Sequence, residues 1–227
     1  MFVDATKKIE ESLYGIWARS KINKASSDHS TGTGFMIYPG IIVTCSHVIH
    51  QKGDIKNPVH KELMVVRAPD IGINAEEVTL LAENPKRDIA LLRIDESRNE
   101  SCVVLEPNLI PRGTPVGSLG FPLSGVVQQK KRLVFKLTLR FQSAYISSYM
   151  PVQGNANDAE LYETDSLMYN GSSGCPGFIE NVNVWGMHNS VRLQQNQERG
   201  DTTRLAISNW VPSMRIREFS NNNGVPV

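Results

Sequence analysis

The stretch GTGFMIYPGIIVTCSHVI, residues 32–49, is the part of the chain from which the fold can be inferred first. Its opening part, GTGFMIY, contains aromatic and β-branched side chains that favour a strand. Tyr38-Pro39-Gly40 is a turn signal, because proline fixes φ and glycine adopts the backbone conformations that turns need. The run IIVTCSHVI is again β-branched. The stretch therefore predicts two strands joined by a tight turn, with His47 in the second run.

The residues before this stretch predict a short helix and a first strand. DATKKIEES contains helix formers, with Asp4 able to cap the helix, and LYGIWAR then changes to an aromatic, β-like character. The polar, turn-forming segment SKINKASSDHST predicts a long loop between this first strand and GTGFMIY.

Strand signals continue downstream at short intervals, separated by turn residues. They are ELMVVRAP, EEVTLLAE and DIALLRID. Short strands at this spacing predict a small antiparallel barrel.

A second β-rich series begins near residue 110. Its strand signals are PRGTPVGSLGFP, the extended RLVFKLTLRFQSAYISS, NVWGMHNSV and TRLAISNW. The second of these alternates apolar and polar side chains with the period of a strand. WVPSMRIREF predicts a closing helix with Pro212 near its start, and the tail SNNNGVPV is expected to fray. The halves 1–110 and 111–227 are the predicted β-rich units.

Composition narrows the classes of protein that fit. The 227 residues are 40% hydrophobic, so the chain can bury a sizeable core. Lys and Arg total 24 against 23 for Asp and Glu, and the net charge of +1 disfavours a nucleic acid partner. No run approaches the roughly 20 apolar residues of a membrane span. No secretory signal is visible and the three cysteines are an odd number, so we expect free thiols and a cytoplasmic location.

Three segments together resemble the motifs of the chymotrypsin-like serine proteases. GTGFMIYPGIIVTCSHVI resembles the strand-turn-strand that delivers the catalytic histidine and places His47 there. RDIALLRID resembles the Asp-Ile-Ala-Leu-Leu signature and places Asp88 at the head of an apolar strand. NGSSGCPGF resembles the nucleophile loop Gly-X-Ser-Gly-Gly-Pro and places Ser173 at the attacking position. The order His, Asp, Ser is also that of the chymotrypsin branch.

The resemblance implies an all-β fold of two six-stranded antiparallel barrels with short N- and C-terminal helices. Residues 1–110 would form the N-terminal barrel with His47 and Asp88, and residues 111–227 the C-terminal barrel with Ser173. Together they would form one protease domain.

The resemblance also implies a chemical role for each motif residue. His47 would take the proton of Ser173, and Asp88 would hold the imidazole in the right tautomer. Gly171 and Gly174 would let the loop turn so that the amides of Gly171 and Ser173 form an oxyanion hole. No cofactor is implied.

Some residues near the motifs also admit other interpretations. Cys45, Ser46, His47 and His50 suggest zinc ligands, but no second ligand pair of similar spacing accompanies them. Cys175 is either a small buried filler or a site of oxidation sensitivity.

The resemblance also has implications for how the protein is activated and which substrates it prefers. Zymogen members of the family have a buried Asp immediately before the nucleophile, where this chain has Ser172, and no Ile-Val-Gly-Gly activation sequence occurs. The chain therefore resembles the bacterial branch that is made in active form, and any restraint would come from a regulatory partner. The pocket residues are expected to be Leu167, Ser190 and His188. Leu167 at the floor disfavours basic specificity.

The segment VWGMHNS resembles the Gly-Met-His motif of proteases that recognise Gln or Glu on the acyl side of the scissile bond, and it places His188 in that role. A histidine packed structurally within the second barrel is the alternative. The expected function is a serine endopeptidase acting on protein or peptide substrates. Its rivals are a catalytically silent binding module with the same barrels and, on another fold, an esterase.

Overall fold

The computed structural model describes residues 1–21, 27–68, 75–94, 101–129, 132–151, 160–195 and 202–227. Within these ranges the chain forms two closed six-stranded antiparallel barrels, a separate two-stranded hairpin and three short α-helices. The all-β, double-barrel prediction is confirmed. The strands of one barrel end at Ile94 and those of the other begin at Pro115, while the predicted division at residue 110 stays a prediction.

The first barrel closes in the order β1-β2-β3-β6-β5-β4. Its strands are β1 (Leu13–Lys21), β2 (Ser27–Tyr38), β3 (Ile41–Thr44), β4 (Glu62–Arg67), β5 (Glu76–Asn84) and β6 (Ile89–Ile94). Helix α1 (Val3–Glu10) precedes them, and α2 (Ser46–Ile49) follows β3. β3 is buried throughout, which explains why its sequence is continuously apolar instead of alternating.

The second barrel closes in the order β10-β11-β14-β13-β12-β7. Its strands are β7 (Pro115–Gly120), β10 (Arg140–Met150), β11 (Leu161–Thr164), β12 (Pro176–Phe178), β13 (Val184–Gln195) and β14 (Thr202–Pro212). The hairpin strands β8 (Gly125–Gln129) and β9 (Arg132–Lys136) lie between β7 and β10, and α3 (Ser213–Asn222) ends the barrel. Trp185 fills the barrel core, with Tyr162 edge-on at 5.3 Å and Trp210 at 5.0 Å between ring centroids.

The N-terminal region departs from prediction in two respects. α1 begins after Phe2, no side chain caps it, and Asp4 lies in its first turn, where a carboxylate favours the helix dipole without capping. The predicted long loop also begins later and ends earlier than expected, because β1 and β2 continue pairing to Lys21 and Ser27. Side-chain polarity misled the prediction, since backbone hydrogen bonds extend a hairpin without apolar side chains.

Three later segments also differ from their predictions. IIVTCSHVI splits after Thr44, so His47 lies in the short helix α2 and not in a strand. The extended strand of the second half is interrupted at residues 137–139 between β9 and β10. The tail does not fray: the Val225 side chain is buried, and its amide donates to the Ser220 carbonyl at 2.9 Å. Local periodicity could not reveal these long-range packing effects.

Strand packing brings the two barrels together around β2. The amide of Thr33 on β2 donates to the carbonyl of Ser173 in the second half at 2.9 Å. Apolar side chains of both barrels, including Phe35 and Phe178, belong to one hydrophobic cluster. No described helix is long and apolar enough to cross a membrane.

Candidate active site

His47 is presented by α2 at the end of the β2–β3 hairpin. Its backbone amide donates to Asp88 Oδ1 at 2.8 Å, and its ring Nδ1 lies 2.7 Å from Asp88 Oδ2. These two contacts place the imidazole against the carboxylate and leave Nε2 facing the other barrel. The partly exposed side chain keeps the ring accessible from one side.

Asp88 precedes β6 in a left-handed backbone conformation, with φ of 54°. Among non-glycine residues, Asp and Asn tolerate this conformation best. The turn directs the carboxylate to His47. Oδ2 also accepts a hydrogen bond from Asn189 Nδ2 at 2.6 Å.

Asn189 was not predicted to have a role, although it lies beside His188 in the quoted VWGMHNS motif. The available signal was the run of three polar residues, His188 to Ser190, after the apolar start of the strand. Spacing alone cannot connect Asn189 to Asp88, since the two residues are 101 positions apart.

Ser173 completes a continuous hydrogen-bonded chain. Its Oγ lies 2.8 Å from Nε2 of His47. The structure thus brings the three predicted triad residues together, two from the first barrel and one from the second. A serine hydroxyl within this distance of an imidazole can pass its proton to the ring as it attacks an electrophile.

Two glycines shape the loop around Ser173. Gly171 and Gly174 have φ of 90° and 87°. A Cβ at Gly171 would lie 2.4 Å from the Phe121 carbonyl oxygen, and one at Gly174 would lie 1.9 Å from that of Thr33. Both positions therefore require glycine for conformation and for space. Across the described parts of the chain, the amides of Gly171 and Ser173 donate to no backbone or side-chain acceptor.

His188 is buried on β13 beside the site. Its ring stands edge-on to Trp210 with centroids 5.1 Å apart, and neither ring nitrogen has a hydrogen-bond partner among the described residues. The pKa of His188 is lowered to about 3, chiefly by burial and in smaller part by His47, while the nearby backbone of Ser172 and Ser190 opposes the shift. The imidazole is therefore neutral at physiological pH, with one donor and one acceptor unused.

The other two predicted pocket residues lie in different surroundings. Ser190 Oγ accepts a hydrogen bond from Asn209 Nδ2 at 3.1 Å. Leu167 lines a cavity of about 420 Å³ together with Leu123, Phe141 and Cys175, and that cavity includes neither His188 nor Ser190. The structure does not bring Leu167 into one cavity with the other two.

None of the three cysteines forms a disulfide, and Cys45 and Cys175 are buried. Burial raises the pKa of Cys45 well above its usual value, and the nearby Asp88 raises it further. Burial raises the pKa of Cys175 to about 12. Because the thiolate is the reactive form, this burial disfavours the hypothesis that Cys175 makes the protein sensitive to oxidation.

The zinc interpretation, which the sequence disfavours, can be compared with the observed contacts. His50 turns away from His47, with its Nε2 2.9 Å from Glu83 Oε2. Cys45, His47 and Asp88 do place possible ligand atoms within 4.8 Å of one another. Hydrogen bonds account for that proximity, and a metal there would have to displace the proton of a buried thiol.

The double-barrel fold resembles those of bacterial proteases of known structure. No curated protein matches the sequence closely enough to count as a relative. The active form of the Rv3671c protease from M. tuberculosis is similar in structure, with a TM-score of 0.69, 18% identity, and coverage of 98% of this chain and 86% of that one. A serine endoprotease from Yersinia pestis has a TM-score of 0.70 at 17% identity, covering 98% of this chain and 66% of the other. These likenesses concern the fold.

The sequence match is more specific than the structural likeness. Residues 32–187 match the family model described as the trypsin-like peptidase domain. This range contains the two segments quoted for His47 and Asp88 and the nucleophile loop around Ser173. The chain therefore belongs to the trypsin-like peptidase domain family.

Proposed function

We propose that this chain is a serine endopeptidase whose catalytic residues are His47, Asp88 and Ser173. The observation that carries the proposal is the chain of hydrogen bonds from Ser173 Oγ through both ring nitrogens of His47 to Asp88, with distances of 2.8 and 2.7 Å. Accidental proximity would not also align two ring nitrogens with a nucleophile and a carboxylate.

In this mechanism Ser173 Oγ attacks the carbonyl carbon of a peptide bond while His47 Nε2 takes the hydroxyl proton. Asp88 accepts the Nδ1 proton in a hydrogen bond and stabilises the imidazolium. The amides of Gly171 and Ser173 donate to the oxyanion. When the C–N bond breaks, His47 returns the proton to the leaving amine. Water, activated by His47, then hydrolyses the acyl-enzyme.

His188 supports a preference for Glu or Gln on the acyl side of the scissile bond. Its unpaired, buried nitrogens have much to gain from a side-chain carbonyl or carboxylate, whereas an apolar side chain would leave them unpaired. We expect cleavage of a peptide library to favour Glu and Gln, and His188→Val to lose that preference while retaining hydrolysis. A library cut without such preference would refute this part of the proposal.

The rival function is a catalytically silent peptide-binding module on the same barrels. A fluorophosphonate probe separates the two, because it labels only an activated serine. We expect Ser173 to be labelled in the wild type, with no labelling of Ser173→Ala and strongly reduced labelling of His47→Ala. Peptide binding without labelling of the wild type would favour the silent module. Control by a regulatory partner and a cytoplasmic location stay predictions.

A further inference from the structure

Thr33, on β2 of the first barrel, contacts the loop that carries Ser173 through two hydrogen bonds and the turn after β7 through a third. Its amide donates to the Ser173 carbonyl at 2.9 Å, and its hydroxyl donates to the Gly171 carbonyl at 2.8 Å. The same hydroxyl accepts from the amide of Phe121 at 3.1 Å. The side chain is fully buried, so all three contacts are shielded from water.

Leu123 makes a second contact with this loop from the turn that follows β7. Its amide donates to the Asn170 carbonyl at 2.7 Å. The residue has φ of 59°, an unfavourable conformation for leucine, although its side chain is 62% exposed. The turn also contains Phe121, whose amide donates to the Thr33 hydroxyl. The same hydroxyl therefore connects this turn with the loop that carries Ser173.

Peptide planarity converts the contact of Leu123 into an orientation, and Thr33 holds the Gly171–Ser172 peptide that joins the two proposed oxyanion-hole amides. In a trans peptide the C=O and N–H bonds point in opposite directions. The Asn170 carbonyl is bonded to Leu123, so the Gly171 N–H points away from Leu123. The Ser172 carbonyl accepts from the amide of Cys175 at 2.9 Å, which likewise fixes the direction of the Ser173 N–H. Both N–H groups of the proposed oxyanion hole are thus set by bonds on the opposite side of their peptides.

Ser172 shows why such support is needed. It occupies the position where zymogen members of the family have an Asp that pairs with a new N-terminus. Here its hydroxyl only accepts a weak hydrogen bond from the Tyr169 amide at 3.4 Å. No ionic contact within the described residues anchors the loop at this position.

We propose that Thr33 and the backbone of Leu123 are positioning residues that preset the oxyanion hole, replacing activation by a freed N-terminus. The inference rests on the proposed function, because an oxyanion hole matters only for acyl transfer. It assigns to the first barrel a part in transition-state stabilisation beyond supplying His47 and Asp88.

Two variants at Thr33 separate the hydroxyl from its bulk. Thr33→Val keeps the β-branched shape and removes the hydroxyl, and Thr33→Ser keeps the hydroxyl. We expect Thr33→Val to lower kcat by about 10- to 100-fold, somewhat less than the loss of an oxyanion donor itself, with KM little changed. Thr33→Ser should stay within about threefold of wild type. Inhibition by a peptide aldehyde, which forms the oxyanion, should weaken in parallel with kcat/KM.

A matched control distinguishes positioning from general loss of stability. Ser213→Ala removes a buried hydroxyl that donates to the Glu106 carbonyl at 2.7 Å, on α3. It should leave kcat unchanged. Equal losses in Thr33→Val and Thr33→Ser, or a Thr33→Val kcat within about twofold of wild type, would overturn the proposal.

Leu123 provides a second pair of variants at an exposed position. Leu123→Gly keeps the amide and adopts positive φ easily, so its kcat should stay near that of wild type. Leu123→Pro has no N–H and cannot adopt this φ, so its kcat should fall as in Thr33→Val. Wild-type kcat in Leu123→Pro would contradict the inference.

Crystal structures of the wild type and Thr33→Val keep the inference testable even if the proposed function fails. If the wild type shows no Ser173-dependent hydrolysis, the proposed function is wrong. The positioning role is then judged by the Asn170–Gly171 peptide. A rotated or disordered peptide in Thr33→Val supports the role, and an unchanged peptide overturns it.

Discussion

The carboxylate of Asp88 accepts hydrogen bonds from three N–H groups: the backbone and ring of His47 and the side-chain amide of Asn189. Each bond restricts the carboxylate in a different direction. Because the imidazole takes its orientation from Asp88, a residue that hydrogen-bonds to Asp88 can influence the geometry at Ser173. Asn189 is such a positioning residue.

We expect Asn189→Ala to lower kcat by about tenfold. A hydrogen bond to a charged group contributes about 1.5–3 kcal/mol, and 1.4 kcal/mol corresponds to a factor of ten. The loss should fall on kcat with KM little changed, because the contact acts on the geometry of Asp88 and His47. Asn183→Ala, which removes an amide bonded to Glu106 away from the site, is the control. An unchanged kcat in Asn189→Ala would show that the contact has no catalytic consequence.

The burial of His188 leads to a prediction about the stability of the fold in acid. Its pKa of about 3 in the folded protein is below the ordinary value of 6.5, so protons bind the unfolded chain more readily. The stabilising effect of the neutral ring is complete above pH 6.5 and is lost as the pH falls toward 3. The expected loss from this group is about 1.4 kcal/mol per pH unit below pH 6.

Urea unfolding between pH 7.5 and 4.5 measures this effect. The unfolding free energy of His188→Phe should fall less steeply with decreasing pH than that of the wild type. His60, whose pKa is also lowered by burial, contributes in the same direction and stays present in both proteins. Parallel pH dependences would mean that His188 is not held neutral by the fold.

Helix α2 is too short to hold its own orientation. A helix of four residues has little intrinsic stability. Glu83 on β5 supports it at both ends, since Oε2 accepts from Ser46 Oγ at 3.1 Å and lies 2.9 Å from His50 Nε2. The two contacts flank His47 in sequence, so the neighbouring strand fixes the segment that presents the imidazole.

We expect Glu83→Ala to lower the free energy of unfolding by about 1–3 kcal/mol, because the buried Ser46 and His50 each lose a partner. Urea denaturation with an unchanged m value would measure it. Glu218→Ala is the matched control, since this exposed carboxylate pairs with Arg87 and Arg215 at the surface. Exposed pairs contribute about 0–1 kcal/mol. Equal effects at the two positions would refute the role of Glu83.

The elements show how far the sequence predicts this structure. The strand-turn-strand before His47, the strand after Asp88 and the glycine-bounded loop of Ser173 follow from local residue preferences and the family resemblance. The continued pairing of β1 with β2 and the packed tail do not, because their stability comes from backbone pairing and from residues distant in sequence. Asn189 and Thr33 were missed for the same reason. Each acts across the barrel junction on a residue 101 or 138 positions away.

The candidate site lies where the two barrels meet. Its residues come from both barrels, so their relative position must be held to within a fraction of an ångström. Several connections between described residues cross the junction or bridge its outer side. They include the contacts of Thr33 with the Ser173 loop, the ion pair of Arg87 with Glu218 at 2.8 Å, and the packing of the C-terminal tail.

The C-terminal tail connects the second barrel back to the first. α3 follows β14 directly, and Val225 beyond it belongs to the same hydrophobic cluster as Ile41 and Ile94 of the first barrel. These three side chains also line a common cavity of about 230 Å³ beside the turn at Pro39. The tail therefore packs the C-terminal end of the second barrel against the first barrel.

Val225→Ala should therefore weaken the whole protein, not the tail alone. Removing two buried methylene equivalents costs about 1.5 kcal/mol. Because the lost contacts join the barrels, a single cooperative urea transition should move to lower denaturant, as followed by the fluorescence of Trp17 in the first barrel and of Trp185 and Trp210 in the second. Val104→Ala is the control, since that side chain is 62% exposed. If Val225→Ala unfolds like Val104→Ala, or only far-UV circular dichroism changes, the tail does not couple the barrels.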